Sequence, residues 1–159
     1  MSDLYQTSAD LKATTQDLAR VESPSAALTL TRSATLAITT AGTVITWQTE
    51  TRNNGFTWSG TTITIPTTGF YLFNFVFKIT TTNQVAICEI SVNGFAQSLM
   101  ATSNTVVNAK SFTQMLYCAT GDAVTLTVTP TTNDTIAITA EGASRPSPIL
   151  NIVQLTGVI

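Results

Sequence analysis

The chain has 159 residues, which is room for one domain of ordinary size and little else. Only 10% of the residues are charged, against about a quarter in a typical globular protein, and the net charge is −2. The seven lysines and arginines are scattered along the sequence, which excludes the clustered basic surface that nucleic-acid binding needs.

Threonine supplies most of the polarity that charged residues would otherwise provide, with 33 positions in the chain. It is β-branched, fits the pleated surface of a sheet and disfavours helix.

No apolar run approaches the roughly 20 residues of a membrane helix. The N-terminus also lacks the basic stretch and apolar core of a secretory signal, so we expect no membrane partner.

The first 25 residues differ from the rest, because Asp-Leu recurs there every seven residues. A seven-residue period places one stripe of side chains along a helix, with weaker companion positions beside it. We therefore predict an attachment arm over residues 1–25, helical or extended, and a head domain over residues 26–159. The arm is either one amphipathic helix docked on a surface or a short parallel bundle of several chains. Its contact residues are Leu4, Leu11, Leu18 and Val21.

From Leu28 onward the apolar period is two, which predicts strands and no further helix. The spacing predicts about ten short strands in an antiparallel sandwich or barrel. Arg52-Asn53-Asn54-Gly55, Asn93-Gly94 and Gly121-Asp122 are predicted turns. The main predicted strands cover residues 61–65, 70–79, 85–92, 95–100, 111–118, 123–128, 136–140 and 149–155.

The stretch 61–79 is the centre of this pattern, because its second strand is apolar on both faces. A strand with one solvated face is polar at every second position. Here one row contains Tyr71, Phe73, Phe75, Phe77 and Ile79, and the other contains Phe70, Leu72, Asn74, Val76 and Lys78. We infer that one face packs on the opposite sheet and the other on a neighbouring subunit. The alternative is a monomer whose core takes both rows.

Residues 36–155 resemble the globular heads of the tumour necrosis factor and complement-head superfamily. The resemblance rests on Ile65-Pro66, Gly69-Phe70-Tyr71-Leu72-Phe73, Asn93-Gly94, Gly121-Asp122 and the closing segment 149–155. It implies an all-β jelly-roll sandwich and a homotrimer. It also implies that the Tyr71 row and the residues Leu150 and Ile152 point into the sandwich.

The resemblance implies a trimer interface as well, on the opposite face of the same strands. Ser111, Thr113 and Met115 are weaker candidates for this face, because a β-bulge would reverse their phase. The predicted interface residues are Phe70, Leu72, Asn74, Val76, Met115, Ile149, Asn151 and Val153.

Residue types that carry chemistry are scarce. Histidine is absent, which removes histidine acid–base catalysis and the commonest metal ligand. Cys88 and Cys118 suit small buried thiols, with a disulfide as the alternative. We expect no catalytic residue, no metal and no cofactor, and hence no enzyme. The alternatives are a carboxylate pair assembled through space and a calcium ion at Asn133-Asp134.

A threonine-rich jelly-roll trimer with a short N-terminal arm looks like a bacteriophage virion protein. The predicted function is capsid decoration or cementing, with itself and the major capsid protein, or another virion protein, as partners. Its expected location is the capsid surface, after synthesis in the host cytoplasm. The alternative is a fibre-tip module that recognises a cell-surface glycan or protein through loops such as 52–54 and 102–108.

Overall fold

The computed structural model describes residues 25–81, 84–101, 109–137 and 147–155. These residues form strands, turns and loops, and none of them belongs to a helix that could span a membrane. The all-β prediction is confirmed. The strands are β1 (Ala27–Thr31), β2 (Leu36–Ile38), β3 (Thr43–Val44), β4 (Thr49–Asn54), β5 (Thr57–Ser59), β6 (Thr62–Thr64), β7 (Gly69–Ile79), β8 (Ala86–Val92), β9 (Phe95–Ala101), β10 (Ala109–Cys118), β11 (Ala123–Pro130), β12 (Asp134–Ala137) and β13 (Ile149–Leu155).

The strands form two antiparallel sheets. The seven-stranded sheet has the order β2-β12-β7-β13-β1-β4, and β10 pairs with the free side of β7. The six-stranded sheet has the order β5-β6-β11-β8-β9, and β3 pairs with β11. In the seven-stranded sheet β7 therefore pairs with three strands and is flanked along most of its length by β10 and β13.

The core lies between the two sheets and is formed by the inward rows of their alternating strands. Tyr71, Phe73, Phe75, Phe77 and Ile79 of β7 are completely buried, as the sequence predicted. Leu150 and Ile152 of β13 are buried beside them. The facing sheet contributes Ile63, Cys88, Ile90, Val124, Leu126 and Val128.

Aromatic contacts connect this core. Phe75 stacks on Phe77 at 4.9 Å between ring centroids, and the edge contact between Trp47 and Phe75 spans 5.9 Å. The Tyr71 hydroxyl donates a 2.6 Å hydrogen bond to the carbonyl of Thr67. That bond holds the turn before β7, because a buried phenol needs a partner.

The Gln154 side chain lies close over the glycine at the start of β7, so a larger residue there would require Gln154 to move. A Cβ placed at Gly69 would lie 2.9 Å from Nε2 of Gln154 on the adjacent strand β13. The hairpin between β8 and β9 has a different requirement, since Asn93 and Gly94 both have positive φ, at 52° and 80°. Two such residues form the tight hairpin that Asn-Gly predicts.

The predicted turn at Arg52-Asn53-Asn54-Gly55 is wrong for three of its four residues. Strand β4 continues to Asn54, and the chain turns only at Gly55, where φ is 92°. β4 ends the strand order of its sheet and pairs with β1. Because most of its side chains are exposed, the strand needs no apolar alternation, and its polar sequence was misread as a turn.

Candidate subunit interface

The outer face of the seven-stranded sheet brings the predicted interface residues together. Directly opposite residues of antiparallel strands project to the same face. Leu72 lies between Met115 and Val153, and Val76 lies opposite Ile149. All eight predicted residues therefore share the face of β10, β7 and β13 that points away from the core: Phe70, Leu72, Asn74, Val76, Met115, Ile149, Asn151 and Val153.

The alternation of β10 is regular, and it determines the face to which the three weaker candidates point. Its ten pairs with β7 run from Ala109–Lys78 to Cys118–Gly69 without a shift in register. Phe112 is buried in the core, so its alternating neighbours Ser111, Thr113 and Met115 point outward. The β-bulge that would have reversed them is not present in this pairing.

Apolar side chains on this face are only partly covered by the chain itself. Met115 is 51% exposed and Val153 is 37% exposed, whereas Phe70, Leu72, Val76 and Ile149 are half-buried by their neighbours. In contrast, the inward row of β7 has no exposed surface at all. A partly exposed apolar surface that spans several neighbouring strands is typical of an interaction site.

Two residues on the same face were missed by the sequence analysis. Tyr117 is 61% exposed and makes an edge-on contact with Phe70 at 5.2 Å between ring centroids. Leu155 lies opposite Phe70 on the other side. The period of two that included Met115 and Val153 also reaches Tyr117 and Leu155, so the signal was present in the sequence.

A polar row crosses the middle of the apolar face. Thr113, Asn74, Asn151 and Thr29 are successive partners across β10, β7, β13 and β1. The amide nitrogen of Asn74 donates to the hydroxyl of Thr113 at 2.8 Å, and the hydroxyl of Thr29 donates to the amide oxygen of Asn151 at 2.9 Å. The row thus divides the apolar surface into two bands.

Charge is nearly absent from this surface. On the outward faces of β10, β7, β13 and β1, as the structure describes them, Lys78 is the one charged side chain. It lies near the end of β7. Two copies of the face could therefore meet without burying opposed or unpaired charges in its centre.

The acidic residues of the described head have local structural partners. Glu50 of β4 accepts hydrogen bonds from the indole nitrogen of Trp58 at 2.7 Å and from the amide of Asn53 at 2.8 Å. Because β4 and β5 belong to different sheets, this carboxylate closes one edge of the sandwich. Asp122 accepts hydrogen bonds from the backbone of Ala119 at 2.7 Å and from the side chain of Asn93 at 2.8 Å.

Asp134 organises the other end of the sandwich. It accepts hydrogen bonds from the Thr80 hydroxyl at 2.5 Å and from the backbone of Thr135 at 2.6 Å. Burial alone would raise the pKa of Asp134, but the hydrogen bonds from Thr80, Thr135 and Thr81 outweigh it and hold the pKa below the usual value. These donors are hydroxyl and amide groups, and no cluster of metal-ligating side chains occurs among the described residues.

Cys88 and Cys118 are both free and buried, one in each sheet. Burial raises the pKa of the Cys88 thiol to about 12. Burial, together with the negative charge of Asp122, raises that of Cys118 to about 11. Both thiols therefore stay protonated at neutral pH and behave as small apolar side chains.

The predicted arm lies outside the described residues, apart from Ser25. Its contact residues Leu4, Leu11, Leu18 and Val21 therefore remain predictions, as does the division of the chain at residue 25. The candidate recognition loop 102–108 also lies outside the described ranges, as does Glu141, an acidic residue of the predicted head domain. Trp47 is buried and Trp58 is half-buried against the core, so neither presents a free aromatic platform.

No protein-family model matches the chain, and no curated protein sequence matches it. Solved structures do match. A crystal structure of murine APRIL aligns with a TM-score of 0.63 and 17% identity, over 82% of this chain and 99% of that one. The Eiger TNF of S. frugiperda aligns with a TM-score of 0.60 and 12% identity, over 86% and 96%.

The globular domain of zebrafish complement 1qA aligns with a TM-score of 0.54 and 13% identity, over 82% of this chain and 97% of that one. At these identities the likeness concerns the fold. The chain therefore has a TNF-like and complement-head-like jelly roll, which confirms the fold predicted from the sequence.

Proposed function

We propose that this protein is a homotrimeric structural protein of a virion, which decorates a capsid and stabilises its lattice without catalysis. The observation that carries the trimer is the largely apolar outer face of the seven-stranded sheet, which has no charged side chain at its centre, opposite a core that is already complete. The likeness of the fold to the TNF and complement heads supports the threefold arrangement.

Burial of the outer face supplies the free energy of association. Each square ångström of apolar surface removed from water contributes about 25 cal/mol, and a stable interface buries at least roughly 1,000 Å². The face spans β10, β7, β13 and β1 and holds apolar side chains such as Leu72 and Met115 along its length. Because these side chains do not take part in the core, they are free to pack against a second copy of the chain.

Attachment to the capsid is assigned to the N-terminal arm. Three arms on one trimer engage a repeating surface together, so the second and third contacts form at high effective concentration. This increases binding by about 10²–10⁴-fold over a single arm. The threonine-rich outer face of the six-stranded sheet then faces solvent.

A pull-down on emptied capsids tests the attachment. The full chain carrying Leu4→Ser, Leu11→Ser and Leu18→Ser should stay a folded trimer and lose capsid binding. A control with Ala9→Ser and Gln16→Ser, on the opposite side of the predicted stripe, should bind as the native chain does. Undiminished binding by the leucine variant would place the attachment elsewhere.

The alternative of a fibre-tip module makes a different prediction. Strong binding of the native trimer to cells or to a glycan array, without capsid binding, would replace the decoration proposal. Residues 52–54 belong to strand β4, where the side chain of Asn53 donates to Glu50 and to the backbone carbonyl of Phe56.

A further inference from the structure

The polar row across the candidate interface has unused hydrogen-bonding capacity. Asn74 and Asn151 are direct partners in the sheet, and both are half-buried. The side chain of Asn74 bonds to Thr113 at one end of the row, and the side chain of Asn151 bonds to Thr29 at the other end. Among the described residues each amide thus engages one of its two ends and leaves the other end without a partner.

Covering this face with an apolar partner would be costly. A buried amide group without a hydrogen-bond partner is destabilising, because nothing replaces the hydrogen bonds it loses with water, and each chain would bury two such groups. A second copy of the same face avoids this cost, because the free end of Asn74 is an acceptor and the free end of Asn151 is a donor. In a closed ring of three, each chain gives one group and receives the other.

We propose that the Asn74–Asn151 row determines the register in which copies of this chain assemble, and through it the closed ring of three. The proposal rests on the trimer proposed above and names the residues that select its geometry. The apolar bands on either side, represented by Leu72 and Val76, attract any apolar surface without regard to position. The row removes that freedom, since a displacement by two residues, about 6.6 Å along the strands, would bury the amides against apolar side chains.

The energetic consequence is specificity at some expense of affinity. A single buried asparagine in a coiled coil acts in the same way, because it fixes register and oligomeric state while lowering stability. Removal of the row should therefore leave the affinity between chains high and allow more than one oligomeric state. This separates the row from the apolar residues, whose replacement by charge weakens association itself.

The first test replaces the row by apolar residues. Asn74→Leu combined with Asn151→Val should keep the chain associated but spread it over more than one oligomeric species in native mass spectrometry. Thr125→Val combined with Thr127→Val, on the outer face of the six-stranded sheet, is the matched control and should give one trimer. A single trimer from the asparagine variant, identical to the native one, would overturn the proposal.

A second test uses a variant of nearly identical shape, so that folding is preserved if the apolar pair misfolds. At pH 7.5, Asn151→Asp places a carboxylate against the acceptor end of Asn74 in the next chain. Burial between chains raises the pKa of this carboxyl group above the usual value of about 3.9, so the group is mostly protonated at pH 4. The trimer dissociation constant of this variant, relative to native protein at each pH, should rise by about 100-fold or more between pH 4 and pH 7.5. The control Thr127→Asp should show no such change.

Equal dissociation constants for Asn151→Asp at both pH values would show that the row is not buried between chains, and would overturn the proposal. The trimer proposal has its own readout, which is the mass of the native protein. A monomeric native chain contradicts the trimer, whereas a native trimer with indifferent asparagine variants contradicts only the role of the row.

Discussion

The two sheets of this sandwich have similar inner faces and different outer faces. Both inner faces are rows of buried aliphatic and aromatic side chains. On the outer face of the six-stranded sheet, β11 presents Thr125, Thr127 and Thr129, and β8 presents Ile87, Glu89 and Ser91. On the outer face of the seven-stranded sheet the same positions of the pleat carry Phe70, Leu72, Val76, Met115 and Val153.

This difference separates the rows that determine the fold from the row that we propose for association. The inner rows are required in both sheets, because each sheet needs a partner for its apolar face. The outer rows are independent of that requirement. Threonine makes one outer face compatible with contact with water. The apolar residues of the other outer face remain partly exposed in a single chain.

Exposed apolar residues on the six-stranded sheet do not remove the contrast. Phe95 is 74% exposed and Leu99 is 65% exposed, and both lie on β9, the last strand of the sheet order. Ile87 of β8 and Val44 of β3 are each 40% exposed on the same outer face, where Thr127 and Glu89 lie between Val44 and Leu99. Single exposed apolar residues are common on soluble proteins.

The largest expected effect comes from a charge in the centre of the apolar outer face. Leu72→Asp or Val153→Asp should abolish the trimer, because an unpaired buried charge costs about 3–5 kcal/mol and a trimer buries three of them. Thr127→Asp on the opposite outer face should leave the trimer intact. Sedimentation velocity measures all three, and an intact trimer in both apolar variants would remove this face as the interface.

An inner-row substitution should act on folding instead of association. Phe73→Ala removes a completely buried ring and should lower the free energy of unfolding by about 3–5 kcal/mol. Chemical denaturation of a dissociated background such as Leu72→Asp separates the two effects. A loss below about 1 kcal/mol would mean that the inward row is not the packed core described above.

The prediction for Tyr71→Phe is smaller. The substitution keeps the ring and removes the hydroxyl that donates to the Thr67 carbonyl, so the free energy of unfolding should fall by about 1–2 kcal/mol. Tyr117→Phe, on the exposed outer face, is the matched control and should change the stability of the single chain little. Equal losses in the two variants would contradict the structural role given to the Tyr71 hydroxyl.

The smallest effect concerns pH. Because the pKa of Asp134 is lowered in the folded protein, its contribution to stability is present above the unfolded pKa and is lost as the pH falls through the folded pKa. Asp134→Asn should therefore flatten the loss of thermal stability on acidification. If the native protein and Asp134→Asn lose stability in parallel on acidification, the carboxylate does not bind the Thr80–Thr81 segment as described.

The sequence predicted the alternating faces well, because alternation is a local property of a strand. The phases of β7 and β13 are as expected, and the predicted last strand matches Ile149–Leu155. The polar edge strand β4 was misread for the same reason, since its exposed residues show no apolar alternation to detect. Strand prediction therefore worked where one face was buried.

The hydrogen bonds of the polar row could not be predicted in the same way. Asn74 and Thr113 are separated by 39 residues, and Thr29 and Asn151 by 122. Their meeting depends on which strands are neighbours and in what register, and a single sequence does not state either. The bond between Glu50 and Trp58 likewise depends on how the edges of the two sheets approach.

The mass of the native chain in solution, measured by sedimentation equilibrium over a range of concentrations, tests the proposed trimer most directly. We expect one species with three times the chain mass of 16.9 kDa. A monomer that stays soluble at high concentration, with the Leu72 and Val153 face open to water, would contradict it.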